Sequence, residues 1–151
     1  MAVTPRKVSD DVQKIFDKYV GNHFRRLKKD TAYEMFQKEF NLSEEHAKVM
    51  FDIFDKDQND ELSIWEFQQF YTQVGHGVHD MLKMYERLAE PSGDVDISRT
   101  FDAMQEMHTP AGRKLKDEEI ALLIQTAAGP EKAIDLPKFI NMLLRLKLFR
   151  D

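Results

Sequence analysis

Residues 55–66 read Asp-Lys-Asp-Gln-Asn-Asp-Glu-Leu-Ser-Ile-Trp-Glu, and this stretch decides the fold. Side chains that carry oxygen stand at its first, third, fifth, ninth and twelfth positions: Asp55, Asp57, Asn59, Ser63 and Glu66. A hard cation such as Ca²⁺ takes roughly six to eight oxygen ligands at flexible distances. The stretch therefore predicts a loop that wraps around a cation.

Apolar residues flank this acidic stretch on both sides with the spacing of an α-helix. Ser43, followed by two glutamates, is typical of the residue that begins a helix. The residues that would share one helical face are Ala47, Met50, Phe51 and Phe54 before the stretch, and Phe67, Phe70, Tyr71 and Val74 after it. Two amphipathic helices around an acidic loop favour a cation site over an ordinary polar surface loop.

The same apolar spacing recurs near residues 12–19, 81–88 and 120–124, which predicts three further loops at residues 20–31, about 89–100 and 127–138. An irregularity of one residue is an open alternative for the loop near residues 89–100. The ligand positions of the three loops hold Val20, Asn22, Phe24, Lys28 and Thr31 in the first loop, Ala89, Pro91, Gly93, Ile97 and Thr100 in the third, and Ala127, Gly129 and Lys138 in the fourth. None of these side chains carries a carboxylate. We therefore expect the first, third and fourth loops to bind no metal.

In these features the chain resembles the EF-hand superfamily of calmodulin, troponin C and myosin light chains. The resemblance implies an all-α fold of four EF-hand units in two paired lobes, with residues 1–75 forming the first lobe and residues 76–151 the second. It implies one Ca²⁺ site, with Mg²⁺ as an alternative occupant at resting ion levels. Its ligands would be the side chains of Asp55, Asp57, Asn59, Ser63 and Glu66, and the backbone carbonyl of Glu61. Leu62 would lie in a short strand that pairs two loops.

Asp60 departs from the family pattern, which has glycine at this sixth position because the backbone turns sharply there. A left-handed residue with a Cβ costs about 1–2 kcal/mol, and Asp tolerates this conformation better than most residues. We therefore expect a working site that is weaker than the same loop with glycine. Since the neighbouring first loop is expected to hold no metal, we also expect binding without cooperativity.

Residues 62–67 and 134–149 are similar to calpain-type penta-EF-hand domains, which carry a fifth hand that mediates dimerisation. This sequence stops at Asp151, before such a hand. A homodimer is therefore an open alternative that nothing in the sequence favours.

Composition and charge narrow the functional classes. The net charge of −5 gives no general affinity for nucleic acid, and the absence of cysteine excludes thiolate chemistry. No apolar run has the length of a membrane span, and the chain begins with neither a signal peptide nor a myristoylation sequence. We expect a cytoplasmic protein with no transmembrane segment. The sequence also has no phosphate loop, His-Glu-x-x-His or serine elbow, so we expect no enzyme.

Methionines are concentrated in the second half, and open EF-hand lobes present methionine-rich grooves to target helices. The residues expected to line such a groove are Met81, Met84, Met104, Met107 and Met142. A core position is the competing interpretation for each of them. The sequence thus predicts a calcium-binding regulatory or adaptor protein that recognises an amphipathic helix of a larger protein. The alternative is a light-chain-like structural subunit with a vestigial or permanently filled metal site.

Overall fold

The structure, a computed structural model, describes residues 8–20, 26–55 and 58–149. Within these residues the chain forms eight α-helices and one two-stranded sheet, so the predicted all-α class is confirmed. The chain divides into two compact units, Met1–His76 (unit 1) and Gly77–Asp151 (unit 2). None of the helices in the described part combines the length and apolar character needed to span a membrane.

Unit 1 contains four helices and both strands. In chain order these are α1 (Asp10–Tyr19), β1 (Arg26–Lys28), α2 (Lys29–Phe40), α3 (Glu44–Phe54), β2 (Glu61–Ser63) and α4 (Ile64–Gln73). Serine side chains begin three of the helices, because Ser9, Ser43 and Ser63 each accept a hydrogen bond from a backbone N–H of the first turn. Helix α1 packs against α4, and α3 packs against both α2 and α4.

Unit 2 repeats this packing with four more helices: α5 (Val78–Leu88), α6 (Ile97–Met104), α7 (Asp117–Ala128) and α8 (Leu136–Lys147). Helix α5 packs against α8, and α7 packs against both α6 and α8. Aspartates begin two of these helices, since Asp96 and Asp135 accept hydrogen bonds from the N–H groups of Arg99 and Lys138. Residues 75–77 form a short 3-10 turn before α5, in which Gly75 has a φ of +52°.

The two loops of each unit are joined through their backbones. In unit 1, β1 and β2 run antiparallel with Leu27 opposite Leu62, so the strand predicted around Leu62 is confirmed. In unit 2, the N–H of Val95 donates to the carbonyl oxygen of Ile134 at 2.9 Å.

The third loop departs from residues 89–100 by one residue, an irregularity that the sequence left open. In the loop at residues 55–66 the ninth residue, Ser63, caps the helix that follows. A loop at residues 89–100 would give this role to Ile97, but the residue that caps α6 is Asp96. Met107 is also not part of the following helix, since α6 ends at Met104. The reason is a turn after α6, followed by a backbone bridge between His108 and Lys114.

The two cores differ in composition. Every phenylalanine in the described part of unit 1 is buried: Phe16, Phe36, Phe40, Phe51, Phe54, Phe67 and Phe70. In the described part of unit 2 the core is mainly aliphatic, with Met104, Ile120, Ile140 and Met142 fully buried and Phe139 as its one buried phenylalanine. The paired loop residues Leu27 and Leu62 in unit 1, and Val95 and Ile134 in unit 2, are themselves buried and so belong to these cores.

Candidate cation-binding loop and apolar groove

The loop between α3 and α4 begins at Asp55, which ends α3. Asp55 is 6% exposed and is the one buried residue of the described part that carries a formal charge. Its Oδ2 accepts a hydrogen bond from the N–H of Asp60 at 3.1 Å, and its carbonyl accepts one from the N–H of Gln58 at 3.2 Å. Burying a carboxylate costs free energy unless hydrogen bonds or a cation compensate it. The loop therefore curls around a carboxylate whose burial a cation would help to offset.

A sharp turn brings the backbone of Asp60 back towards Asp55. Asp60 has a φ of +62° and Gln58 a φ of +51°, so both residues are left-handed. The predicted left-handed conformation of Asp60 is thus confirmed, with its cost of about 1–2 kcal/mol for a residue with a Cβ. Asn59 supports the turn, because its Oδ1 accepts a hydrogen bond from the N–H of Glu61 at 3.0 Å.

The end of the loop is fixed by a reciprocal cap on α4. The N–H of Glu66 donates to Oγ of Ser63 at 3.1 Å, and the N–H of Ser63 donates to Oε1 of Glu66 at 2.9 Å. This capping box holds the Glu66 carboxylate beside the loop instead of letting it extend into solvent. Glu66 is half-buried at this position.

The predicted ligands are distributed over the whole loop. Asp55 lies at its start, Asn59 in the turn, Glu61 at the beginning of β2, and Ser63 and Glu66 at the start of α4. Asp57, like Asn22 and Phe24 of the first loop, lies outside the described residues. Among the residues that are described, no group of three or more acidic, histidine or cysteine side chains is arranged to hold a metal ion. Of the predicted ligands that the structure describes, three are acidic, and one of these, Glu61, was predicted to bind through its backbone carbonyl.

A lysine from the first loop reaches the outside of this turn. Nζ of Lys29 lies 3.5 Å from Oδ1 of Asp60, and the negative charge of Asp60 raises the pKa of Lys29 above its ordinary value. Both side chains are well exposed, so this ion pair adds little to stability. The ion pair links the turn at Asp60 to the first residue of α2.

Unit 2 contains an apolar cavity of about 560 Å³ between α5, α8 and the segment that joins α6 to α7. The apolar side chains that line it are Met81, Met84, Met107, Pro110, Leu143 and Leu146, with Asp80 and Lys147 also at the cavity. Met104 and Met142 are not among its lining residues; both are fully buried in the core. The structure thus brings together three of the five methionines predicted to line a groove.

Sequence reasoning missed the contributions of α8 and of the connecting segment to this cavity. Leu143 and Leu146 are three residues apart on α8, so helical spacing alone places them on one face. Met107 and Pro110 carried no comparable signal, because their position depends on the turn between Thr109 and Gly112, whose N–H donates to the Thr109 carbonyl at 2.8 Å.

In comparisons with known proteins, no family model matches the chain, and no curated protein sequence matches it.

Proposed function

We propose that the chain is a calcium-binding regulatory or adaptor protein with one EF-hand site at residues 55–66, which recognises a helical segment of a protein target. The observation that carries the proposal is the turn at Asp60, whose left-handed backbone directs its N–H onto the buried Asp55 carboxylate. The pairing of Leu27 with Leu62 supports it, because paired loops are a feature of EF-hand units. The predicted ligand types at alternating positions are those that Ca²⁺ prefers.

The fit of a Ca²⁺ ion to these residues can be stated ligand by ligand. Asp55, Asp57 and Asn59 would bind through side-chain oxygens and Glu61 through its carbonyl, while Ser63 would bind directly or through water. Glu66 would bind through both carboxylate oxygens, and α4 carries Glu66, so binding would hold the start of α4 against the loop. The ion supplies positive charge to two carboxylates that the fold draws out of water. Mg²⁺ is the alternative occupant at resting ion levels.

The proposed target site is the apolar cavity of unit 2. Its methionine and leucine side chains are suited to apolar residues spaced along one face of a helix. The cavity is large enough for a few large side chains, which is the number of anchoring residues that one amphipathic helix would insert. We propose a cytoplasmic protein without enzymatic activity.

The direct experiment is a Ca²⁺ titration of the whole chain, with terbium luminescence sensitised by Trp65 as a second readout. We expect one site and a hyperbolic curve. Glu66→Gln should weaken binding by about 10- to 100-fold, as expected for the loss of a charged contact. Glutamine retains the oxygen that accepts the hydrogen bond from the Ser63 N–H, so the fold should persist.

Glu45→Gln is the matched control for this titration, because Glu45 is exposed on α3 and outside the loop. It removes the same charge and should leave Ca²⁺ affinity unchanged. Two or more stoichiometric sites, or equal affinity in Glu66→Gln and the wild type, would overturn the proposed site.

A light-chain-like structural subunit is the second candidate, with a vestigial or permanently filled site. It is favoured by the position of the apolar cavity within unit 2, whereas the proposed ion site belongs to unit 1. Binding of an amphipathic helical peptide in the presence and absence of a chelator discriminates the two functions. A regulatory protein loses affinity when Ca²⁺ is removed, and a structural subunit does not.

A further inference from the structure

Lys138 is the third residue of α8, and its side chain folds back over the loop that precedes this helix. Its Nζ donates to the carbonyl oxygen of Ala128 at 3.2 Å, to the carbonyl oxygen of Ala133 at 3.3 Å and to Oε2 of Glu131 at 3.2 Å. A lysine ammonium has three N–H donors. Each donor therefore has an acceptor within the same short loop.

These three acceptors come from separate parts of the loop. Ala128 ends α7, Glu131 lies in the 3-10 turn that follows, and Ala133 lies on the far side, next to Ile134. The backbone between them turns sharply, since Gly129 has a φ of +64° and Lys132 a φ of +54°. One ammonium thus connects the end of α7, the turn and the returning chain. The carbonyl at the end of α7 also carries the negative end of the helix dipole, which favours a cation there.

The position of Lys138 corresponds to that of Glu66 in unit 1. Each is the third residue of its helix and follows a capping residue, Ser63 for Glu66 and Asp135 for Lys138. In each case the capping side chain accepts a hydrogen bond from the N–H of this third residue, at 3.1 Å in both helices. The same place next to a loop therefore holds an anion in unit 1 and a cation in unit 2.

The other loop of unit 2 has a similar arrangement. Arg99 is the third residue of α6 and follows the capping residue Asp96. A guanidinium N–H of Arg99 donates to the carbonyl oxygen of Arg87 near the end of α5. Both loops of unit 2 are thus closed by a positive side chain that reaches from the start of one helix to the end of the helix before it.

We infer that Lys138 is an internal cation, whose ammonium holds residues 128–135 together as a bound metal ion would and makes the conformation of unit 2 independent of metal. The inference does not rest on calcium binding in unit 1, because every contact that carries it belongs to unit 2. If the ammonium is the part that matters, removing the side chain leaves a small site lined by two carbonyls and a carboxylate. A free alkylammonium ion can enter such a site and restore the loop.

The test uses the full chain in chelator, with Lys138→Ala compared with the wild type. Amide hydrogen exchange should become faster at residues 128–138, and the thermal transition of the chain should fall by about 5–10 °C. Methylammonium chloride should slow this exchange again and recover part of the loss. Tetramethylammonium chloride at the same ionic strength has the same charge but no N–H donor, and it should not.

Lys83→Ala is the matched control, because Lys83 is an exposed lysine within α5 of the same unit. It should leave exchange at residues 128–138 unchanged in either salt. If Lys138→Ala does not fold, Lys138→Met is the second variant, because it keeps most of the aliphatic chain without the ammonium. It should remain folded and show faster exchange at residues 128–138. Unchanged exchange in the folded variant, or equal recovery with both salts, would overturn the inference.

Discussion

Units 1 and 2 have the same order and packing of helices, yet the helices that follow their loops begin with side chains of opposite charge. Glu66 lies at the third position of α4, whereas Arg99 and Lys138 lie at the third positions of α6 and α8. The acidic residue is the kind of ligand that a cation would use in the proposed site. The basic residues supply positive charge from the chain itself. If the proposed site of unit 1 binds an ion, the same loop architecture is compatible with an external cation in unit 1 and an internal one in unit 2.

The cores of the two units differ in a second way. Phe70 lies at the centre of the unit 1 core, with its ring centroid 4.8 Å from those of Phe36 and Phe40 and 5.5 Å from that of Phe54. Unit 2 uses methionine and aliphatic residues and leaves an apolar cavity open. Aromatic rings demand specific geometry, whereas methionine adapts its shape. The aromatic core of unit 1 is thus suited to holding its loops in place, and the methionine-lined cavity of unit 2 is suited to the proposed helical target.

The largest expected effect comes from breaking the aromatic core. Phe70→Ala should lower the free energy of unfolding of unit 1 by about 3–5 kcal/mol, because it removes a fully buried ring and leaves a cavity. Met142→Leu, at an equally buried position of unit 2, should cost less than about 1.5 kcal/mol. Urea unfolding followed by Trp65 fluorescence measures the first variant, and circular dichroism measures the second. Similar losses for both variants would contradict the difference between the cores.

Much of this arrangement could be predicted from the sequence because it depends on local spacing. The helices around residues 55–66 follow from apolar periodicity, whereas the strand at Leu62 and the turn at Asp60 were implied by the resemblance to EF-hand loops. The frame of the third loop could not be predicted, because Asp96 competes with its neighbours to cap α6 and only the pairing of Val95 with Ile134 decides between them. The contacts of Lys138 could not be predicted from the sequence either, because they depend on how tightly residues 129–133 turn.

A second prediction concerns the turn itself, where the loops of both units contain a left-handed residue. Gly93 takes this conformation in unit 2 with a φ of +96°, and Asp60 takes it in unit 1 with a Cβ. Asp60→Gly should raise the Ca²⁺ affinity of the proposed site by about tenfold, because it removes a conformational cost of about 1–2 kcal/mol. Isothermal titration with Ca²⁺ measures this change.

Lys29→Ala is the control for that titration, since it removes the ion pair with Asp60 and leaves the backbone alone. It should change affinity far less than Asp60→Gly does. Weaker binding in Asp60→Gly would mean that the aspartate side chain serves the site and is not simply tolerated.

The smallest expected effect concerns a further fixed ion pair in unit 2. Arg113 contacts both oxygens of Glu119 at 2.8 and 3.0 Å, and together with the Lys116 N–H it lowers the pKa of Glu119 to about 2 from an ordinary 4.5. Because the folded pKa is the lower one, this stabilisation is present above pH 4.5 and is lost as the pH falls towards 2.

Glu119→Gln should therefore lower the thermal transition modestly at neutral pH, and the difference from the wild type should vanish as the pH approaches 2. Thermal scans across this range by circular dichroism provide the measurement. Glu118→Gln removes the same charge from an exposed neighbour on α7 and should show no comparable convergence. A constant difference between Glu119→Gln and the wild type at all pH values would show that the ion pair does not couple to folding.

The pairing of Leu27 with Leu62 has a kinetic consequence. Strand β2 lies between Asp55 and Glu66, and its partner β1 belongs to the first loop, whose described ligand positions, Val20, Lys28 and Thr31, carry no carboxylate. An ion held between Asp55 and Glu66 in the proposed site would leave when the two ends of the loop separate, and the paired backbone would resist that movement. Residues of the first loop would then set how long an ion stays, although none of them touches it.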